Sequence, residues 1–193
     1  MATFDINPSS DIAVVGWNQT SDEVWEDLSI PEGGGDSYET TTDDDNSNPC
    51  ILGGVSLPGI FPADGADSVS YHIRMRIQDD KNIDPLPQMK FQITTSGNAE
   101  IANVTVSLGE TPEVFADYSG SMTITGNNTS TDWTGHRMRL ETISNDSDHT
   151  DFEVAELQAT VSYTVGGGGG GTTAGFHLIR GGIVKTKLRG LVR

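Results

Sequence analysis

Hydrophobic and polar residues alternate with a period of two in several segments of the chain. Successive side chains of a β-strand point to opposite faces of its sheet, so this alternation predicts strands with one buried face and one polar face. The clearest such segments are 69–77, 89–94, 102–108, 136–141 and 155–163.

Further strands are predicted from shorter apolar stretches, and no segment shows clear helical periodicity. Phe152 and Val154 are out of phase with the alternation that starts at Ala155, which predicts a β-bulge near Val154. Many short strands separated by turns favour an all-β fold, an antiparallel, jelly-roll-like β-sandwich. The weaker strand predictions are Ile12–Trp17, Val24–Leu28, Cys50–Leu57, Val114–Tyr118 and Met122–Thr125.

Charge divides the 193 residues into two parts. Residues 1–165 contain all 28 acidic side chains and six basic ones, a net charge of −22, whereas residues 166–193 contain five basic side chains and no acidic one. Six glycines at 166–171 predict a flexible linker between the two parts. The predicted organisation is an acidic sandwich over 1–165 with a long loop at 29–49, a linker over 166–171, and a docking segment over 172–193.

The segment 172–193 is both basic and apolar, and its glycines disfavour a stable helix. It cannot bury its apolar residues alone, so we expect it to dock on another protein subunit, for example by adding a strand to a sheet edge. Folding back onto its own acidic body is the alternative. The predicted docking residues are Phe176, Leu178, Ile179, Arg180, Ile183, Val184, Lys185, Lys187, Leu188, Arg189, Leu191, Val192 and Arg193.

The overall charge of −17 argues against nucleic acid or an anionic membrane as the partner of the body. The single cysteine, Cys50, excludes an intrachain disulfide, and the four histidines lack zinc-finger spacing. The N-terminus lacks the features of a signal peptide, and no apolar stretch is long enough to span a bilayer. We therefore expect a protein that is soluble when made in the cytoplasm.

Two groups of residues could carry chemistry. Asp43, Asp44 and Asp45 could supply oxygen ligands for calcium, but the glycine and glutamate of an EF-hand loop are missing, so a solvated acidic turn is favoured. No nucleophile motif or assignable acid–base pair is present, so no catalytic residue, enzymatic activity or cofactor besides that calcium is expected. Aromatic side chains that could stack on sugar rings are Trp17, Trp25, Tyr38 and Trp133, although anchoring of the core is the favoured role.

The order of features resembles small virion proteins of tailed bacteriophages and prophages. The resemblance lies in five segments that occur in the same order. They are Gly16–Trp17, the acidic residues 43–45, the strand 71–76, the segment 131–140, in which Thr131-Asp132-Trp133 precedes a basic strand, and the strand 152–157, which closes the sandwich. It covers residues 8–163 and implies a jelly-roll-like module on a phage particle, without catalytic residues.

These observations predict a non-enzymatic virion protein, a capsid decoration or other particle-surface protein anchored by its C-terminal segment to neighbouring capsid or tail subunits. We expect it to form a homo-oligomer or to be present in many copies on the particle. The alternative is a carbohydrate-binding β-sandwich of a phage tail or fibre, in which exposed aromatic residues, with calcium in the acidic loop, bind a host glycan. Exposure of the tryptophans distinguishes the two hypotheses.

Overall fold

The protein is described by a computed structural model over residues 1–14, 17–18, 28, 39–41, 49–78, 88–107, 114–143 and 151–165. Within these ranges the chain forms twelve strands and one complete short helix, and Leu28 is helical as well. The strands are β1 (Ala2–Ile6), β2 (Ser10–Ala13), β3 (Trp17–Asn18), β4 (Glu39–Thr41), β5 (Cys50–Gly53), β6 (Ser68–Gln78), β7 (Gln88–Thr94), β8 (Glu100–Ser107), β9 (Ala116–Ser121), β10 (Thr123–Ile124), β11 (Arg137–Ile143) and β12 (Asp151–Tyr163), and the helix is α1 (Ser130–Trp133).

The strands form two antiparallel sheets. In sheet I the order is β3-β4-β12-β6-β9, and β1 pairs with the C-terminal half of β12. In sheet II the order is β10-β8-β7-β11-β5-β2. The all-β sandwich predicted from the alternation pattern is thereby confirmed.

The core lies between the two sheets and is built from the apolar phase of each alternating segment. Sheet I contributes residues such as Ile73 and Leu157, and sheet II contributes Phe91 and Met138, all at most 2% exposed. The residues that alternate with these along each strand point outward and are mainly polar. Each sheet therefore presents a polar outward face on which a functional site can be built.

A β-bulge interrupts β12 where the sequence predicted one. Val154 pairs with Met75 and Glu156 pairs with Arg74, so Ala155 is the extra residue between them. Val154 and Leu157 both point into the core although they are three residues apart, because the bulge restores the apolar phase. The bulge also leaves Glu153 and Glu156 on the outward side beside β6.

Four aromatic rings close one end of the sandwich. Phe61 lies 5.7 Å from Phe4, 5.7 Å from Trp133 and 5.2 Å from Tyr163 between ring centroids. The Trp133 indole N–H donates to Asn128 Oδ1 at 2.8 Å, and that oxygen also accepts from the Ala66 amide at 3.0 Å. These contacts fix α1 against the 61–66 segment.

Gly65 makes this approach sterically feasible. Its φ is +84°, and a Cβ there would lie 1.6 Å from the Asn128 carbonyl oxygen. Only glycine adopts that conformation freely while leaving room for the neighbouring backbone.

Several elements differ from the sequence-based predictions. Two strands, β1 and β4, were not predicted, and β4 lies inside the predicted loop 29–49. No segment of the sequence shows helical periodicity, yet α1 and Leu28 are helical. The helix α1 is a single turn started by the Thr129 and Asp132 capping box and is too short to show periodicity. The weaker strand predictions were displaced: β5 ends at Gly53, while β9 begins at Ala116.

Several predictions concern residues outside the described ranges. The linker 166–171, the docking segment 172–193 and residues 24–27 of the Val24–Leu28 strand prediction belong to this group. Leu28, the described residue of that prediction, is helical, so the strand prediction was wrong there. No helix in the part of the chain described here is long and apolar enough to cross a membrane.

Candidate functional site

The predicted site residues fall mostly outside the described part of the chain. This applies to Trp25, Tyr38, the acidic run 43–45 and the docking residues within 172–193, so the glycan, calcium and docking predictions for them stay predictions. Trp17 belongs to β3, of which only the backbone is described.

Trp133 is the candidate sugar-stacking residue that the structure does describe, and its burial contradicts that role. Its side chain is 0% exposed, packs against Phe61 and donates its N–H to Asn128. A ring buried on both faces has no surface left for a sugar. Trp133 therefore anchors the core, the role that the sequence favoured for the tryptophans.

The outward face of sheet II carries a dense group of polar side chains at the centre of the sheet. Register places Arg139 of β11 opposite Gln92 of β7, and Gln92 opposite Asn103 of β8, so these three residues form a row across the strands. Lys90 and Thr94 flank Gln92 along its own strand. We call these five residues, together with Glu100 and Glu141, the polar face of sheet II.

Glu100 organises one side of the polar face. It accepts hydrogen bonds from Gln92 Nε2 at 2.5 Å and Asn103 Nδ2 at 2.6 Å, and its carboxylate lies 3.1 Å from Lys90 Nζ. Burial raises the pKa of Glu100, but the three donors and the Lys90 charge together outweigh burial and lower that pKa below its ordinary value. Glu100 is therefore ionised at neutral pH and holds Gln92 by its nitrogen end.

The other side of the polar face contains polar atoms with no hydrogen-bond partner. Gln92 Oε1, Thr94 Oγ1 and Arg139 Nε are each buried and unpartnered within the described structure. Gln92 is 7% exposed and Thr94 is 1% exposed, although both stand on an outward face. Leaving a buried donor or acceptor unsatisfied costs about 1–3 kcal/mol, so such atoms call for a partner beyond those that the described residues supply.

These three atoms are chemically complementary to a group that both donates and accepts. The Gln92 carbonyl oxygen accepts, the Arg139 Nε–H donates, and the Thr94 hydroxyl does either. The formal charges of the polar face nearly cancel, since Lys90 and Arg139 balance Glu100 and Glu141. In a chain with a net charge of −17, this neutral polar surface is suited to an uncharged polyhydroxylated ligand.

The sequence alone did not identify this face. The alternation predicted that Lys90, Gln92 and Arg139 point outward, and the structure confirms it. Which outward residues become neighbours depends on the pairing of β7 with β11, and that long-range pairing leaves no signal in the local pattern.

Comparison with known proteins gives no family for this chain: no family model matches it, and no curated protein matches it. Solved structures with a similar arrangement of strands include a carbohydrate-binding module of Clostridium stercorarium in complex with cellobiose, with a TM-score of 0.42 and 13% identity over 84% of this chain and 94% of that one.

A xylan-binding domain from Paenibacillus barcinonensis matches with a TM-score of 0.41 and 13% identity over 82% of this chain and 94% of that one. An arabinose-bound α-L-arabinofuranosidase matches with a TM-score of 0.48 and 10% identity over 77% of this chain. This chain spans only 23% of the length of that enzyme. At this degree of similarity none of these proteins identifies a ligand for this chain.

Proposed function

We propose that this chain is a ligand-binding β-sandwich and that the polar face of sheet II binds a carbohydrate. The observation that carries the proposal is that three buried polar atoms on that face have no hydrogen-bond partner among the described residues. They lie on Gln92, Thr94 and Arg139, residues brought together by the pairing of β7 with β11.

A sugar matches these atoms because each of its hydroxyl groups donates one hydrogen bond and accepts others. One hydroxyl between Arg139 Nε and Gln92 Oε1 would satisfy both atoms at once, accepting from the first and donating to the second. Gln92 and Thr94 are two residues apart on β7 and therefore about 7 Å apart along the strand. A second hydroxyl of the same ligand is needed to reach Thr94.

Access to these atoms depends on the long side chains around them. Arg139 and Lys90 are 24% and 29% exposed at their side chains, so their outer ends reach solvent while their stems cover the face. A ligand enters by shifting those ends. Ile143, which follows on the same side of β11 and is 36% exposed, offers apolar contact for a sugar ring.

The test begins with a glycan array probed with the intact chain, followed by calorimetric titration of the best oligosaccharide. Arg139→Lys keeps the charge but removes the Nε donor, and we expect it to weaken binding by a factor of about ten or more, as for a lost bond to a buried polar group. Arg74→Lys is the matched control on sheet I, and we expect it to bind as the unmodified chain does.

Two results would overturn the proposal. One is the absence of binding to any glycan on a broad array. The other is a glycan whose affinity is the same in Arg139→Lys and Arg74→Lys, because the sugar would then bind elsewhere on the molecule.

A virion role is a second candidate, favoured by the opposite charges of residues 1–165 and 166–193. In this hypothesis the sandwich is displayed on a phage particle and anchored by the basic segment. It is compatible with sugar binding, since the polar face belongs to the sandwich. Deletion of residues 172–193 is expected to abolish incorporation into particles, and undiminished incorporation would contradict the anchoring role.

A further inference from the structure

The outward face of sheet I contains a second cluster, formed by an imidazole and two carboxylates. His72 lies on β6, Asp117 on the neighbouring β9 and Glu156 on the other neighbour, β12. In the register, Asp117 and Glu156 are both opposite Arg74, so the two carboxylates approach His72 diagonally from either side. Three adjacent strands each contribute one side chain to this cluster.

The separations within the cluster match those of metal ligands. His72 Nε2 lies 3.1 Å from Glu156 Oε2 and 3.7 Å from Asp117 Oδ1, and all three ligand atoms lie within 4.8 Å of one another. Zinc bound tetrahedrally at about 2.0–2.2 Å holds its nitrogen and oxygen ligands about 3.3–3.6 Å apart. Small rotations of the exposed Asp117 side chain are enough to reach that spacing, since Asp117 is 62% exposed.

We propose that His72, Asp117 and Glu156 bind a divalent transition metal ion, with zinc as the best match. One imidazole with two carboxylates is a ligand set that suits zinc, whereas calcium and magnesium prefer oxygen ligands alone. Glu156, which is 12% exposed, forms the inner side of the site, and Asp117 forms the outer side. Water completes the coordination from the solvent side.

Charge around the cluster allows a cation to bind. Arg74 Nη1 lies 4.0 Å from Glu156 Oε1, the oxygen that does not face His72. Arg74 therefore leaves Oε2 available to a metal ion and offsets only one of the two carboxylate charges. The bound ion would crosslink β9, β6 and β12, so metal binding should stabilise sheet I.

A simple ion-pair cluster is the competing explanation for the same geometry. A protonated His72 would attract Glu156 and Asp117 without any metal. The two explanations differ in one property, since only the metal site gives saturable zinc binding that depends on all three residues.

The experiment is calorimetric titration of the intact chain with zinc chloride at neutral pH, with thermal unfolding measured in parallel. We expect one zinc ion whose affinity falls at least tenfold in Asp117→Asn and in His72→Gln, since the loss of an outer-shell partner alone costs about 10–100-fold. Zinc should raise the Tm of the unmodified chain and not that of Asp117→Asn. Asp117 is largely exposed, so its replacement does not threaten folding.

Glu141→Gln is the matched control, because Glu141 also pairs with an arginine but stands on sheet II. Its zinc affinity should equal that of the unmodified chain. The proposal is overturned if the unmodified chain shows no saturable zinc binding, or if Asp117→Asn and His72→Gln bind zinc as tightly as Glu141→Gln. The latter result would place the zinc on other residues of the chain.

Discussion

The two outward faces of the sandwich differ in how their polar side chains find hydrogen-bond and charge partners. On sheet I, charged side chains meet charged partners: Arg76 bonds to Glu153, and His72 lies between Glu156 and Asp117. On sheet II, Glu100 satisfies one side of the polar face, while Gln92, Thr94 and Arg139 keep a buried polar atom without a partner. Among the described residues, the polar atoms of the first face find partners without an organic ligand, and three buried atoms of the second face do not.

The contrast shows why polarity alone does not mark a binding face. Both faces carry arginine and glutamate, and both come from strands with the same alternating pattern. The difference is in hydrogen-bond satisfaction, which depends on the neighbours that the fold supplies. An unsatisfied buried atom has a free-energy cost, and a ligand that satisfies it recovers that cost.

The largest expected difference between the faces concerns two arginines of equal exposure. Arg76 and Arg139 are both 24% exposed at the side chain, but Glu153 beside Arg76 is 1% exposed, whereas Glu141 beside Arg139 is 32% exposed. Arg76→Met leaves a buried carboxylate without its cation and should lower the unfolding free energy by about 3 kcal/mol. Arg139→Met should cost no more than about 1 kcal/mol, since its partner stays solvated.

Urea unfolding of both methionine variants at neutral pH measures these losses. Equal losses in the two variants would mean that the ion pairs of the two faces do not differ as described.

A smaller effect, of opposite sign, is expected at Thr94. Thr94→Val replaces a buried hydroxyl without a partner by a methyl group of similar size, so the unfolding free energy should rise by about 1 kcal/mol. The same substitution should weaken sugar binding, because the hydroxyl is part of the proposed site.

Thr105→Val on the neighbouring strand β8 is the control for this substitution. Thr105 is exposed, and its replacement should change stability by less than about 0.5 kcal/mol. Loss of stability in Thr94→Val would show that the Thr94 hydroxyl does have a partner in the folded protein.

Another buried atom without a partner among the described residues, His136 Nε2, belongs to neither face, and its residue gives a pH effect instead. Burial lowers the pKa of His136 from 6.5, although the bond of its Nδ1 to the Trp133 carbonyl at 2.9 Å acts in the opposite direction. Below pH 6.5 the His136 imidazole takes up a proton in the unfolded chain but resists it in the folded chain. The free energy of unfolding therefore falls as the pH is lowered, until the lowered pKa of His136 in the folded chain is passed. Above pH 7 this group should contribute no pH dependence.

His136→Gln should lack this component, so the difference in unfolding free energy between the two proteins measures it across this pH range. An NMR titration of the His136 imidazole provides an independent readout if the variant folds poorly. A His136 pKa at or above 6.5 would contradict the burial argument.

Most of the fold could be predicted from local pattern, and most of the candidate site could not. The alternation at 69–77 and 155–163 predicted β6 and β12. The phase slip at Val154 predicted the bulge in β12, where this strand pairs with β6. Strand β1 was missed although Ala2, Phe4 and Ile6 alternate with the polar Thr3 and Asp5, and Glu39–Thr41 was missed because it contains no apolar residue.

The sites depend on contacts between distant strands. Gln92 and Arg139 are neighbours only because β7 pairs with β11, and His72 meets Asp117 and Glu156 only because β6 lies between β9 and β12. Sequence patterns give the direction in which a side chain points. They do not give the strand order, which determines the residues that share a face.

The central claim is that sheet II, and not sheet I, presents the sugar-binding face. The most direct test is an NMR titration that follows the side-chain amides of Gln92 and of Gln158, the glutamine on the outward side of β12 that bonds to Asn7 at 3.1 Å. We expect the best oligosaccharide to shift the Gln92 resonances in a saturable manner and to leave those of Gln158 unchanged. Shifts at Gln158 with Gln92 unmoved would contradict it.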